Sequence, residues 1–146
     1  MRRSLLFLVA VLAVALLVPA AHASPPTFIP QPSTSFIDPT CGFDTTVDLV
    51  SGETLRLFSN GNLLVTGPLT ATFSANGKSV TVNAPGPAIG IIGHTFVGEG
   101  LTGGPTQLPD GQVTLALVAG TVDLTGFPGV LVHGKVLLDI CAALTP

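Results

Sequence analysis

The chain has 146 residues, of which 47% are hydrophobic and 9% charged, with five Lys and Arg against eight Asp and Glu and a net charge of −3. Apart from the adjacent Arg2 and Arg3 the cations are dispersed, which argues against nucleic acid and against an electrostatic membrane anchor, since both need clustered Lys and Arg. Trp and Tyr are absent; this disfavours polysaccharide-binding modules and outer-membrane barrels, which rely on those side chains.

Residues 1–23 read as a cleavable secretory signal peptide. Arg2 and Arg3 form a positive n-region, Leu5 to Val18 is an unbroken apolar run, and Pro19 ends it. Ala21-His22-Ala23 supplies the small-x-small cleavage pattern. The run is shorter than the roughly 20 residues that span a bilayer. The twin arginine admits a second export route, although the leader is short and very apolar for it. Cleavage after Ala23 leaves three cations and eight anions, a net charge of −5. The expected location is extracellular or at the cell wall.

Ser24 to Thr40 holds five prolines and no hydrophobic period. Proline resists both helix and central strand, so 24–40 is expected to be an extended or disordered arm, dispensable for folding. A single β domain is expected over 41–146.

Short alternating segments follow. Thr45 to Val50 sets Val47 and Leu49 against Thr46 and Asp48. Thr54 to Ser59 sets Leu55 and Leu57 against Arg56 and Phe58. Asn60-Gly61 carries the signal of a type I′ hairpin, because both central residues tolerate positive φ. Leu63 to Thr66 comes next, then Gly67-Pro68. In Leu69 to Ala75, the residues Leu69, Ala71, Phe73 and Ala75 alternate with Thr70, Thr72 and Ser74. Asn76-Gly77 is a second hairpin signal, and Val80 and Val82 continue the pattern until Pro85-Gly86-Pro87 breaks it. Ala88 to Ile92 and Thr95 to Val97 are short apolar pieces, and Gly100 to Pro105 reads as a loop. Pro109-Asp110-Gly111 is a turn. Val113 to Ala119, Thr121 to Thr125 and Val130 to Ile140 are the last strands, apolar on both faces in places. Sustained 3.6-residue periodicity is missing. The expectation is an all-β antiparallel meander of about eight to ten strands, as an up-and-down barrel or alternatively a β-sandwich. The barrel is favoured because closure removes exposed edges.

Cys41 and Cys141 bracket nearly the whole domain. An even count in an exported chain reads as a disulfide. A loop of about 100 residues gains roughly 4–5 kcal/mol in the chain-entropy model. Two free thiols and a zinc pair are the alternatives, and no CxxC or HxxxH spacing supports zinc. The two cysteines differ in strand phase, so a bulge or strand end near one of them is required.

Residues able to do chemistry are few. There is no GxSxG elbow. Gly98-Glu99-Gly100-Leu101-Thr102-Gly103 spells GxGxxG, but no helix follows to offer its N-terminus to a phosphate. Val130, Val132, Val136, Leu138 and Ile140 share one parity, which assigns His133, Lys135 and Asp139 to solvent. Asp48 and Asp123 read as solvated strand positions, and Asp110 and Lys78 as turn residues. His94, Glu99, Asp44 and Glu53 remain as titratable candidates. No cofactor or metal is expected.

Several short motifs resemble a loose group of small exported actinobacterial proteins. They are the Arg-Arg leader, the Cys41-Gly42-Phe43-Asp44 start, Gly67-Pro68-Leu69-Thr70, Asn76-Gly77-Lys78-Ser79-Val80-Thr81 with Val82-Asn83 after it, and the Asp139-Ile140-Cys141 end. The resemblance covers roughly residues 41–84 and the C-terminal strand. It implies a secreted β-protein and supplies no activity or catalytic residue.

Two functions are compatible with these residues. One is a non-catalytic secreted binding or surface protein, its partner a cell-envelope component or a small apolar ligand held among Phe73, Val82, Leu115 and Leu117, with His94 nearby. The other is a small barrel enzyme of cyclase or isomerase type that uses His94 or an acid in its lumen.

Overall fold

The computed structural model describes residues 24–146, so the expected leader lies outside the described residues. Eleven strands and one short helix follow in order: β1 Thr27–Pro30, β2 Thr34–Asp38, β3 Thr45–Ser51, β4 Thr54–Leu57, β5 Asn62–Thr66, β6 Leu69–Ala75, β7 Lys78–Asn83, β8 Ala88–Ile91, β9 Thr95–Gln107, β10 Val113–Asp123, β11 Gly129–Asp139 and α1 Ile140–Leu144. They form a seven-stranded sheet, β1-β4-β5-β8-β9-β10-β11, and a four-stranded sheet, β2-β3-β6-β7. The architecture is all-β and sandwich-like. The favoured closed barrel is not formed, because the first and last strands of the seven-stranded sheet do not pair.

The two sheets share their strands' parents. Register shows β1 and β2 pairing with β4 and β3, which pair in turn with β5 and β6, and those with β8 and β7. The chain is thus a run of antiparallel neighbours folded over at one corner, where residues 31–33, 51–53, 66–68 and 84–87 pass from sheet to sheet. Gly67 makes the corner possible. Its φ is +138°, and a Cβ there would lie 2.5 Å from the Gly52 carbonyl oxygen. The Gly52 N–H donates to the Pro68 carbonyl at 2.8 Å across the same bend.

Residues 24–40 are not a free arm. β1 lies at the edge of the large sheet against β4, and β2 at the edge of the small sheet against β3. The prolines are compatible with this because an edge strand has one row of N–H groups that no neighbour needs. Between them Thr27-Phe28-Ile29 and Thr34-Ser35-Phe36-Ile37 are residues that favour strands.

Gly100 to Pro105, expected as a loop, lies inside the 13-residue β9, which pairs with β10 from Val97↔Asp123 to Gln107↔Val113. Its neighbour across the ladder satisfies the backbone whatever the side chains. Asn76-Gly77 takes positive φ at both residues, as expected. Asn60-Gly61 does not: only Gly61 has positive φ, and the Gly61 N–H donates to Phe58 O in a wider turn.

Two cores result. The larger contains Val47, Ala71, Phe73, Val82, Leu115, Ile140 and Leu144, with Leu117 packed against it. The smaller contains Ala116, Val118, Val122 and Leu131. Successive residues of β10 therefore serve different cores, which is why Leu115-Ala116-Leu117-Val118 shows no alternation. Gly129 and Val130 return to pair in parallel with Thr106 and Gln107, which coils β9, β10 and β11 around the smaller core.

The parity assigned to β11 holds only at its end. Register shifts opposite Leu117/Val118 and Thr121/Val122 leave Leu137 and Val132 without cross-strand partners. Each extra residue reverses the face of what precedes it. Leu131 is consequently buried, while Val130 and Val132 are exposed. The strand stops at Asp139, whose carboxylate accepts from the Ala142 N–H and caps α1. This strand end turns Cys141 towards Cys41, and the two are joined, with Cα atoms 5.1 Å apart.

Candidate functional site

The apolar residues expected to line a ligand cavity lie in packed protein instead. Phe73 and Leu115 are fully buried, Val82 is buried, and Leu117 packs beside them in the larger core. Large side chains from both sheets meet there and fill the space.

The space lies at the corner. A cleft of about 300 Å³ opens beside the β7–β8 segment, which is hydrogen-bonded to β9 through Gly86 N–H to Leu101 O and Glu99 N–H to Pro87 O. Val65, Leu69, Ala84 and Ala88 line one side, and Phe96, Leu101 and Leu124 the other. Small residues create it. Gly86, Gly98 and Gly103 contribute wall without side chain, and Ala84 and Ala88 contribute only a methyl group. Phe96 and Gly98 share one strand parity and Leu101 and Gly103 the other, yet all four line the cleft. The change of face falls at Gly100, whose φ is +85°.

Polar side chains in the wall are few: Gln31, Glu53 and Thr102. Glu53 sits at the turn from β3 to β4, where the chain crosses between sheets. Its backbone is held at both ends, with the N–H donating to Ser51 Oγ at 3.1 Å and the carbonyl accepting from the Gln31 N–H at 3.0 Å. Partial burial among apolar walls pushes its carboxyl above the ordinary range, and the Ser51 hydroxyl opposes this. Loss of water disfavours the ionised form, which is the physical cause.

The other titratable candidates are scattered. His94 is exposed in the β8–β9 turn, its N–H donating to Ile91 O, and it borders a shallow groove with Leu63, Phe96 and Leu124. Glu99 lies on the opposite face of β9 and accepts from Thr121 Oγ1 at 3.0 Å. The two line different grooves. Asp44 is exposed before β3. Asp139, assigned to solvent, is half-buried and also accepts from Thr114 Oγ1 at 3.0 Å. The GxGxxG residues run through β9. Among the described residues no group of three His, Cys, Asp or Glu is placed to hold a metal.

Two outer faces complete the surface. On the small sheet, Thr70 with Asn83, Thr72 with Thr81, and Ser74 with Ser79 form cross-strand hydrogen bonds of 2.9–3.1 Å. On the large sheet a groove of about 530 Å³ runs over Phe58, Leu64, Ile89 and Val97. Its one carboxylate, Glu99, is the group already engaged by Thr121.

Comparison with protein-family models, with curated proteins and with solved structures found no match to this chain.

Phe96, Leu101, Leu124 and Glu53 are thus the residues of the site, and of these only Glu53 stood among the sequence candidates. The available signal was the scarcity of bulk in Ala84-Pro85-Gly86-Pro87-Ala88 and Gly98 to Gly104. These two segments are joined by hydrogen bonds from Gly86 N–H to Leu101 O and from Glu99 N–H to Pro87 O, a pairing that local pattern does not specify.

Proposed function

We propose that this chain is a non-catalytic binding protein of the cell exterior that holds a small, largely apolar ligand in the cleft at the sheet corner. The observation that carries this reading is the cleft itself: concave, mostly apolar, with three polar side chains in its wall. That combination is the usual form of a small-molecule site, and its volume lies at the small end of the range. Room for a ligand of roughly ten non-hydrogen atoms follows from about 30 Å³ per water-sized volume.

The outer groove is larger but lies open on a sheet face, and its carboxylate is already hydrogen-bonded. A ligand there would keep one side in water. Placement outside the cell rests on the leader pattern of residues 1–23 and on the Cys41–Cys141 bond, which persists in oxidising compartments. No helix of the described residues is long and apolar enough to cross a membrane.

Isothermal titration calorimetry with octan-1-ol tests the binding reading. Saturable binding is expected, weakened in Phe96→Ala and Leu101→Ala variants whose circular dichroism matches the parent. No heat from the alcohol, or from any compound of that size and apolar character, would overturn it. N-terminal sequencing of protein recovered from the medium tests export; the expected first residue is Ser24, and a chain retaining Leu5 to Val18 would refute cleavage.

A further inference from the structure

We infer that the ligand carries a single positively charged head on a short apolar body, a small aliphatic amine, with Glu53 as its anchor. The inference rests on the cleft reading above and adds the chemistry of the ligand.

Among the described residues Glu53 is the one ionisable residue lining the cleft. Its main chain is held by Ser51 and Gln31, which sets its Cα at the cleft wall. Among the described residues the Lys and Arg side chains lie elsewhere. Arg56 lies over the Phe28 ring, 5.7 Å from its centroid; Lys78 donates to the Thr145 carbonyl; Lys135 is exposed on β11. None of the three lines the cleft. The neutral Ser51 hydroxyl is a partner of the carboxyl, the Gln31 amide donates to Ile29 O, and Thr102 is neutral, so none of these side chains supplies a positive charge.

A carboxylate beside apolar walls lacks part of its hydration and gains from a cation that supplies both charge and N–H donors. An ammonium head meets that need, and its alkyl body covers Val65, Ala88, Phe96 and Leu101. An alkyl carboxylate places like charges together and is rejected. A net charge of −5 over residues 24–146 favours approach of a cation from solution. The bound head also favours the ionised form of Glu53, opposing the upward push of burial. Affinity for the amine therefore declines as pH falls and Glu53 takes up its proton.

The test compares octan-1-amine, octan-1-ol and octanoate by calorimetry on the mature protein and on Glu53→Gln. In the parent, the amine should bind about tenfold or more tighter than the alcohol, as expected for a hydrogen bond to a charged group, and octanoate should bind weakest. In Glu53→Gln the advantage of the amine over the alcohol should fall to within about twofold, since the charged contact is lost. Equal binding of amine and alcohol in the parent overturns the inference and leaves the apolar cleft standing. Tight amine binding that survives Glu53→Gln also overturns it, by placing the amine elsewhere. Failure of all three compounds to bind overturns the cleft reading as well.

Discussion

Gly120 and Gly134 face each other across β10 and β11 so closely that neither has room for a side chain. A Cβ on Gly120 would lie 2.0 Å from the His133 carbonyl oxygen, and one on Gly134 2.2 Å from that of Ala119. Both hold positive φ, +146° and +132°, and Gly100 stands opposite Gly120 on β9. This row is where the sheet coils, bringing the start of β11 back to the end of β9.

Gly120→Ala should therefore lower stability by about 2–4 kcal/mol, from backbone strain and a clash with main chain that cannot rotate away. Gly111→Ala is the control. Gly111 has φ +88° but nothing within 4 Å of the added atom, so its cost should be nearer 1 kcal/mol. Urea unfolding of the two variants measures the difference, and equal losses would contradict the close approach.

Removing residues 24–39 should destabilise the domain. That deletion strips β1 and β2 from β4 and β3 and removes Asp38, a buried residue whose carboxylate accepts from the Thr40 N–H. A loss of roughly 2–4 kcal/mol, or about 10 °C in thermal midpoint, is expected for a domain of this size. A midpoint equal to that of residues 24–146, followed by circular dichroism, would restore the picture of a dispensable arm.

Phe73→Ala should cost about 3–5 kcal/mol, the usual loss for a fully buried ring. The same change should leave octan-1-ol affinity nearly intact under conditions where the variant is folded, because Phe73 does not line the cleft. Paired unfolding and calorimetry separate these effects. Abolished binding in a folded Phe73→Ala protein would return the ligand to the larger core.

Reduction should weaken the fold markedly. The Cys41–Cys141 bond spans 100 residues, and replacing both cysteines by Ser should lower stability by about 3–5 kcal/mol. Alkylation of the denatured, unreduced protein should label neither cysteine. Labelling of both would show that the bond does not form.

Stability should respond to pH through two carboxyls of opposite sense. Burial raises Glu53 above its ordinary 4.5. From 4.5 up to its folded value the native state holds more protons than the unfolded chain, so its contribution to stability falls as pH rises through that window. The Thr125 hydroxyl and backbone N–H hold Asp123 below its ordinary 3.8. Its contribution is present above 3.8 and disappears as pH falls through the lowered value. Glu53→Gln should remove the first effect alone, making the variant more stable than its parent at pH 7 with the advantage fading towards pH 4. Urea midpoints across that range check this, and a parent and variant that run parallel would show that burial of Glu53 has no such effect.

What the sequence determined by itself was local. Alternation in Leu69 to Ala75 set Ala71 and Phe73 inward, and the hydroxyls of Thr70, Thr72 and Ser74 outward, because side chains of a strand alternate whatever lies beyond it. Asn76-Gly77 gave a tight hairpin because both residues accept positive φ. The two cysteines paired as their even count suggested. Only the tertiary structure decided the rest. Two unpaired residues, Val132 and Leu137, reversed faces along β11 and put Leu131 rather than Val130 and Val132 inside. Free edges on both sheets gave the proline-rich segment somewhere to pair. The cleft formed where segments 84–88 and 98–103, joined by Gly86 N–H to Leu101 O, met Glu53, Phe96 and Leu124 from elsewhere in the chain. Each of these depends on which distant segments meet, and hydrophobic period and turn chemistry act over only a few residues.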